Sequence, residues 1–137
     1  MIETALILMV LLILIFGMFD LGLMVFRHNA TAQVARQAAR QASVHGTMAP
    51  PRLNQWGPTT FSAKVDAAGE ITDAVRPYLA GLTAGDTTLT LEWPDGNSKP
   101  ESRVRVTVAT THQSFVAFVF GNQTRTLTAV ATVQINH

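Results

Sequence analysis

Residues Ala5 to Phe26 read ALILMVLLILIFGMFDLGLMVF, and Asp20 is their one charged residue. About 20 apolar residues, each rising 1.5 Å, span a hydrocarbon core ~30 Å thick. The run is longer than the apolar region of a signal peptide, and no small-residue cleavage site follows it. A buried core helix is the competing reading. A chain of 137 residues is too small to cover every face of such a helix. The expectation is therefore a transmembrane helix over residues 3–26.

Two carboxylates interrupt the apolar pattern. Glu3 stands at its entrance and Asp20 about three quarters of the way through. An ionisable group inside a membrane segment costs several kcal/mol unless it is paired or hydrated. Two readings of Asp20 follow. It lies near the far interface, relieved by water or by Arg27 two turns along nearly the same face, or it meets a partner helix in an assembly. Gly17 and Gly22 flank it and allow close helix approach, although they do not form a GxxxG motif.

Charge is distributed unevenly around a formal net of +1. Four arginines and no acid lie between Arg27 and Arg52, whereas the stretch Lys64 to Glu101 holds seven acids and three bases. A basic flank after an apolar run suits lipid headgroups or acidic partner segments. No DNA-binding motif accompanies these arginines, so no nucleic acid is expected. The positive-inside rule would place this flank in the cytoplasm. Either the topology is inverted, or Met1 is not the true beginning and a basic leader is missing. The absence of cysteine excludes disulfides, thiolate metal sites and cysteine nucleophiles.

Beyond the apolar run, His28 to Val44 (HNATAQVARQAARQASV) is rich in good helix formers and lacks Gly and Pro. Gly46 sits where a helix C-cap is expected, and Pro50-Pro51 forbids continuation. The helix is thus expected to continue over 27–46. Ala32, Ala35, Ala39 and Ala42 fall on one face, to be packed against the chain's own domain or against identical helices.

Residues 47–137 are expected to form a small extracytoplasmic domain. Thr47 to Pro58 reads as a loop, with Trp56 as a core plug or an exposed contact. Apolar residues at helical spacing predict a second helix over about Ser62 to Leu79, weakened by Gly69 and ended by Pro77. From Thr87 the period changes to two. TLTLEW, RVRVTV and TLTAVATVQI each place apolar residues on one face, the mark of half-buried antiparallel strands. Pro94-Asp95-Gly96-Asn97 supplies the first turn. Ser114 to Phe120 is an apolar run of open type. The fold class is α+β: a long transmembrane helix leading into a small domain with a second helix and an antiparallel sheet of about three strands.

No catalytic constellation is present: no nucleophile elbow, no zinc-protease helix and no phosphate-binding loop. His28, His45, His112 and His137 lack ligand spacing, and Asp66, Glu70 and Asp73 read as a solvated helix face. No cofactor and no metal is expected, and no enzymatic activity.

Taken together, Glu3 with the apolar run behind it, the Gly17-x-x-Asp20-x-Gly22 exit, the helix VARQAARQA and the strands VRVTV…TLTAVATVQI resemble the TadE-like family of pseudopilins, within the type IV pilin-like class. The resemblance implies a precursor with a short basic leader ending in Gly, cut by a prepilin peptidase a few residues before the glutamate. It also implies a mature helix packed among others, with Glu3 neutralising the N-terminal ammonium of a neighbour. Only Met1 and Ile2 precede Glu3, a departure explained by an internal start or by the lack of a leader. The implied function is a structural pilin-like subunit of a tight-adherence pilus or secretion apparatus at the bacterial inner membrane. Its partners would be the bilayer and other pilin-like subunits, met through Glu3, Gly17, Asp20, Gly22, Arg27, Ala32, Ala35 and Ala39. The alternative is an anchored extracytoplasmic binding module that does not assemble.

Overall fold

The computed structural model describes residues 2–114, 121 and 124–136. One unbroken helix, α1, runs Ile2–Val44. At 43 residues and 1.5 Å per residue it is roughly 65 Å long. It ends where Gly46 and the two prolines were expected to end it, and the His45 backbone N–H closes the last turn on the Ala42 carbonyl at 3.2 Å.

The rest of the described chain forms β1 (Phe61–Lys64), α2 (Glu70–Val75), β2 (Thr87–Glu92), β3 (Arg103–Gln113) and β4 (Thr124–Gln134), with 3-10 turns at Arg76–Tyr78 and Ala84–Asp86. The strands make one antiparallel sheet in the order β1-β2-β3-β4. The α+β class is as expected, but the sheet has four strands rather than three. The extra strand comes from the region expected to be helical. Phe61 pairs with Leu91 and Ala63 with Leu89, so pairing to β2 overrides the helical spacing of Val65, Ala68 and Ile71. Helix α2 is correspondingly short. It begins after Gly69, whose backbone is fully extended, and Pro77 sits inside the 3-10 turn that follows. The Thr72 hydroxyl is shared between the carbonyls of Ala67 and Gly69, each at 2.8 Å. Beyond Ser114, the run to Phe120 lies outside the described residues.

Period-two patterning builds the core. Leu89 and Leu91 of β2 stand opposite Val108 and Val106 of β3, and those stand opposite Ala129 and Ala131 of β4. Opposed residues of an antiparallel pair share a face, so these form one apolar layer. Against it lies α1, through Val34, Ala35, Ala38, Ala39 and Ala42, all essentially inaccessible to solvent. Alanine at four of these contacts keeps side-chain bulk off the seam, so the helix backbone rides close on the sheet. Strand β3 runs antiparallel to α1. Its start lies near the end of the helix, where the Asn136 N–H bonds the Ser43 carbonyl at 3.2 Å, and its end reaches back toward Asp20.

The β2–β3 turn is closed by Asp95. Its carboxylate accepts the Arg103 backbone N–H at 2.7 Å and the Arg103 guanidinium at 2.9 Å. The Arg103 side-chain bond, then its backbone bond, hold the Asp95 carboxyl below the usual carboxylate range. The folded pKa is depressed, so this contribution is present above about pH 3.9, the unfolded value. It is lost as pH falls through the folded value. The stability difference between wild type and Asp95→Asn is therefore expected at neutral pH and should vanish in acid, as read by denaturant midpoints across a pH series.

Leu91 is fully buried at the centre of the layer. Leu91→Ala is expected to cost about 2–5 kcal/mol through lost transfer energy and the cavity left behind. Val130→Ala, at an exposed position of β4, should stay within about 0.5 kcal/mol. Denaturant unfolding of the two variants checks the contrast.

Candidate functional site

Among the described residues, little covers the first half of α1 before Asp20. Leu6, Met18 and Phe19 are 64%, 74% and 69% exposed, and large apolar side chains line this stretch on every side. The most apolar 18-residue window of the helix has no buried residue. Soluble monomers rarely expose apolar patches beyond a few hundred Å². This bare segment is the feature that the remaining site residues must serve.

Glu3 is exposed in its first turn and makes no ion pair among the described residues. Gly17 and Gly22 face open space, where an added Cβ would meet nothing within 4 Å. Both glycines thus leave shallow places on a surface that no described residue covers.

Asp20 finds partners within its own chain. His112 Nε2 lies 3.2 Å from its Oδ1, and the Ser114 hydroxyl donates to Oδ2. The His112 side chain is 3% exposed and that of Asp20 14%. Both partners come from the end of β3, His112 within the strand and Ser114 just past it. His112 continues the inward phase of Val104, Val106, Val108 and Thr110 along β3, so it faces the helix where the apolar layer runs out. Sequence reading did not find this pair. The available signal was a titratable side chain at the inward phase of a strand, together with a carboxylate in an apolar helix that required a donor.

The domain touches α1 again at Phe26. Its ring packs on Gly81, where an added Cβ would come within 2.6 Å of Phe26 Cε1. Gly81 also holds φ at +76°, which other residues rarely adopt. Arg27 is half-buried, and its carbonyl accepts the Thr31 hydroxyl at 2.7 Å. Beyond Asp20, Leu21, Val25 and Phe26 are still 64%, 60% and 54% exposed, so the apolar surface continues past the carboxylate on the faces the domain does not touch.

Of the small-residue face, Ala35 and Ala39 are buried against the chain's own sheet and Ala32 is half-buried beside them. That face is occupied by the domain, so it is closed to a second helix while the domain stays seated. The glycines and Glu3 remain open. Among the described residues no three His, Asp or Glu side chains gather as a metal site would require.

Removing the Asp20 carboxylate strands the His112 and Ser114 donors in a largely buried place. Asp20→Ala is expected to destabilise the domain by about 1–3 kcal/mol. A double-mutant cycle with His112→Ala should return a coupling of roughly 0.5–3 kcal/mol, measured by urea unfolding in a fixed micelle. Additive effects would show that the two side chains do not act together.

Residues 1–40 match the family model described as TadE-like protein. No curated protein and no solved structure matches the chain. The family match covers the bare apolar segment, Glu3, both glycines, Asp20 and the start of the seam on the sheet, so over its helix this chain carries the TadE-like pattern.

Proposed function

We propose that this protein is a structural subunit that assembles through its N-terminal helix into a tight-adherence pilus or a related secretion apparatus. The observation that carries the reading is that the TadE-like match, residues 1–40, coincides with a helix whose most apolar 18-residue window holds no buried residue among the described ones. Such a surface requires lipid or other helices.

From Ile2 to Phe19, the stretch before the carboxylate is about 27 Å long at 1.5 Å per residue, close to the hydrocarbon thickness of ~30 Å. Before assembly this segment spans the inner membrane once. The α+β domain then sits directly on the outer surface, with Asp20, His112 and Ser114 at the polar boundary. During assembly the segment exchanges lipid for the corresponding helices of other subunits. Gly17 and Gly22 let those helices approach closely, because no side chain stands between the backbones. Glu3, uncovered in the single chain, takes a cationic partner from a neighbour. A carboxylate moved out of water into a helix bundle is tolerated only when it is paired. A subunit of this kind is processed by a prepilin peptidase before it assembles. Its role is scaffolding, with no chemical step.

Glu3→Gln keeps the helix apolar enough for insertion and removes the charge. Incorporation into high-molecular-weight assemblies is expected to fall at least about tenfold, the equivalent of roughly 1.4 kcal/mol, while membrane insertion is retained. Size separation of cross-linked membranes beside a carbonate-extraction control measures both. Unchanged incorporation would remove Glu3 from the interface. A wild-type chain that stays monomeric among its partner proteins would overturn the assembly reading itself.

A further inference from the structure

Where α1 lies on the sheet, its outer ridge carries Asn29, Gln33, Arg36 and Arg40, all exposed. The ridge stands opposite the buried Val34, Ala38 and Ala42. Neither arginine joins an ion pair among the described residues. Arg40 follows Gly22 by 18 residues, which is five turns of helix. It therefore stands on the same side of α1 as Gly22, about 27 Å further along. At Gly22 the helix surface is a shallow hollow lined also by Met18, Phe19 and Leu23. A neighbour that packs into that hollow stands on the side of α1 that carries Arg36 and Arg40.

A cleft of about 420 Å³ opens between the loop after α1, α2 and the end of β2, lined by Trp56, Thr60, Phe61, Trp93 and Glu70 among others. Glu70 is the one charged residue of that lining among the described residues. Asn54 Nδ2 donates to its Oε2 at 2.6 Å and Trp56 Nε1 to its Oε1 at 3.4 Å. Both donors are neutral, and Glu70 makes no ion pair among the described residues. Its negative charge is held in place but not balanced, and each oxygen keeps a further lone pair. The same contacts fix its height. Trp56 stacks on His45 with ring centroids 4.0 Å apart, and His45 is five residues past Arg40. Glu70 thus lies close to the level of Arg40 along α1.

Height matters because copies anchored by the same segment carry each group at the same distance from the bilayer. Only groups at matching levels can meet. An unbalanced carboxylate in a cleft with apolar walls suits a cation on an apolar stem. A guanidinium is weakly hydrated, its planar fork matches two carboxylate oxygens, and its methylenes lie along apolar surface. Arg76, Arg103 and Arg105 are already paired with acids of their own chain. Of the other arginines, Arg36 and Arg40 share the side of Gly22. We propose that Arg40 of one copy enters the Glu70 cleft of a second copy beside it in the membrane, with Arg36 one turn nearer the bilayer adding to the attraction. Each copy offers one ridge and one cleft, so the contact is head-to-tail and can repeat. The inference rests on the assembly reading and names the partner surface that meets the helix outside the bilayer.

The chain has no cysteine, so introduced cysteines report one contact at a time. Two full-length variants are made together in cells that also supply the partner proteins. One carries Gln37→Cys beside the ridge, the other Thr60→Cys at the cleft, and a short bis-maleimide is added to the membranes. A mixed cross-linked dimer is expected. Arg36→Glu with Arg40→Glu on the first copy should lower its yield about tenfold or more, and so should Glu70→Arg on the second. All three positions are exposed, so the fold is retained. Joining the two reversals in one mixture should restore the yield, because each charge again faces its opposite. Met18→Cys on both copies reports helix association separately. Met18 cross-links without ridge-to-cleft ones overturn this inference and leave the assembly reading standing, whereas the absence of both overturns both. A ridge-to-cleft yield that neither reversal changes, or that the paired reversals fail to restore, also overturns the inference. So does capture of Thr60→Cys by a different polypeptide, unaffected by the ridge reversal, which assigns the cleft to another subunit.

Discussion

A single helix in two solvents is the constraint on which the structure depends. The backbone of α1 is uniform, but its surroundings are not. Toward the C-terminus its inward positions are Val34, Ala35, Ala38, Ala39 and Ala42, and a sheet covers them. Toward the N-terminus its side chains are larger and more apolar, and no described residue buries them. Large apolar residues without a partner gain stability only when lipid or another helix removes them from water. Small residues gain little from lipid, but they admit a close sheet. Side-chain volume along one helix thus divides the bare segment from the segment that belongs to the domain.

A charge marks the start of the division. Asp20 could not sit in lipid without several kcal/mol of penalty, and it is met by His112 and Ser114 from the end of β3. Register links the two. Strand β3 runs against the helix direction, and its inward face is apolar from Val104 to Val108 before turning polar at Thr110 and His112. The polar end of the strand therefore arrives where the helix carries its carboxylate. A slip of one residue would turn His112 outward and leave Asp20 facing an alternating wrong set. Phe26 on Gly81 adds a second contact nearby, so the exit of the helix from the domain is fixed by packing as well as by polarity.

Much of this was legible from residue pattern. The helix bounds, its length and the inward faces of the three longer strands follow from periodicity and from the Gly46 and Pro50-Pro51 stop. What failed was local. Phe61 to Lys64 has only four residues, too few for alternation to compete with the helical spacing downstream, and its strand state depends on pairing with β2. The partners of Asp20 were illegible for a related reason. They lie more than ninety positions away, and nothing local to either residue encodes that distance. Trp56 had two open readings, and the structure buries it. Its indole N–H nonetheless reaches Glu70 at the rim of the cleft. The cleft itself joins residues of three segments, so only the folded chain brings Glu70 and Trp93 together.

The bare helix surface and the cleft occupy different parts of the sequence, and physics gives a reason. Packing among helices demands length, apolarity and a few small residues at fixed spacing, all of which are properties of the first forty residues, where the family match lies. Recognition demands polar groups held at chosen angles, which a lone helix cannot supply. The domain provides them on α2, on the loop before β1 and at the end of β2. Because α1 is seated on the inner face of the sheet, the cleft is built without using any residue of the bare segment. Substitutions around Glu70 and Trp93 therefore leave the bare surface of α1 unaltered.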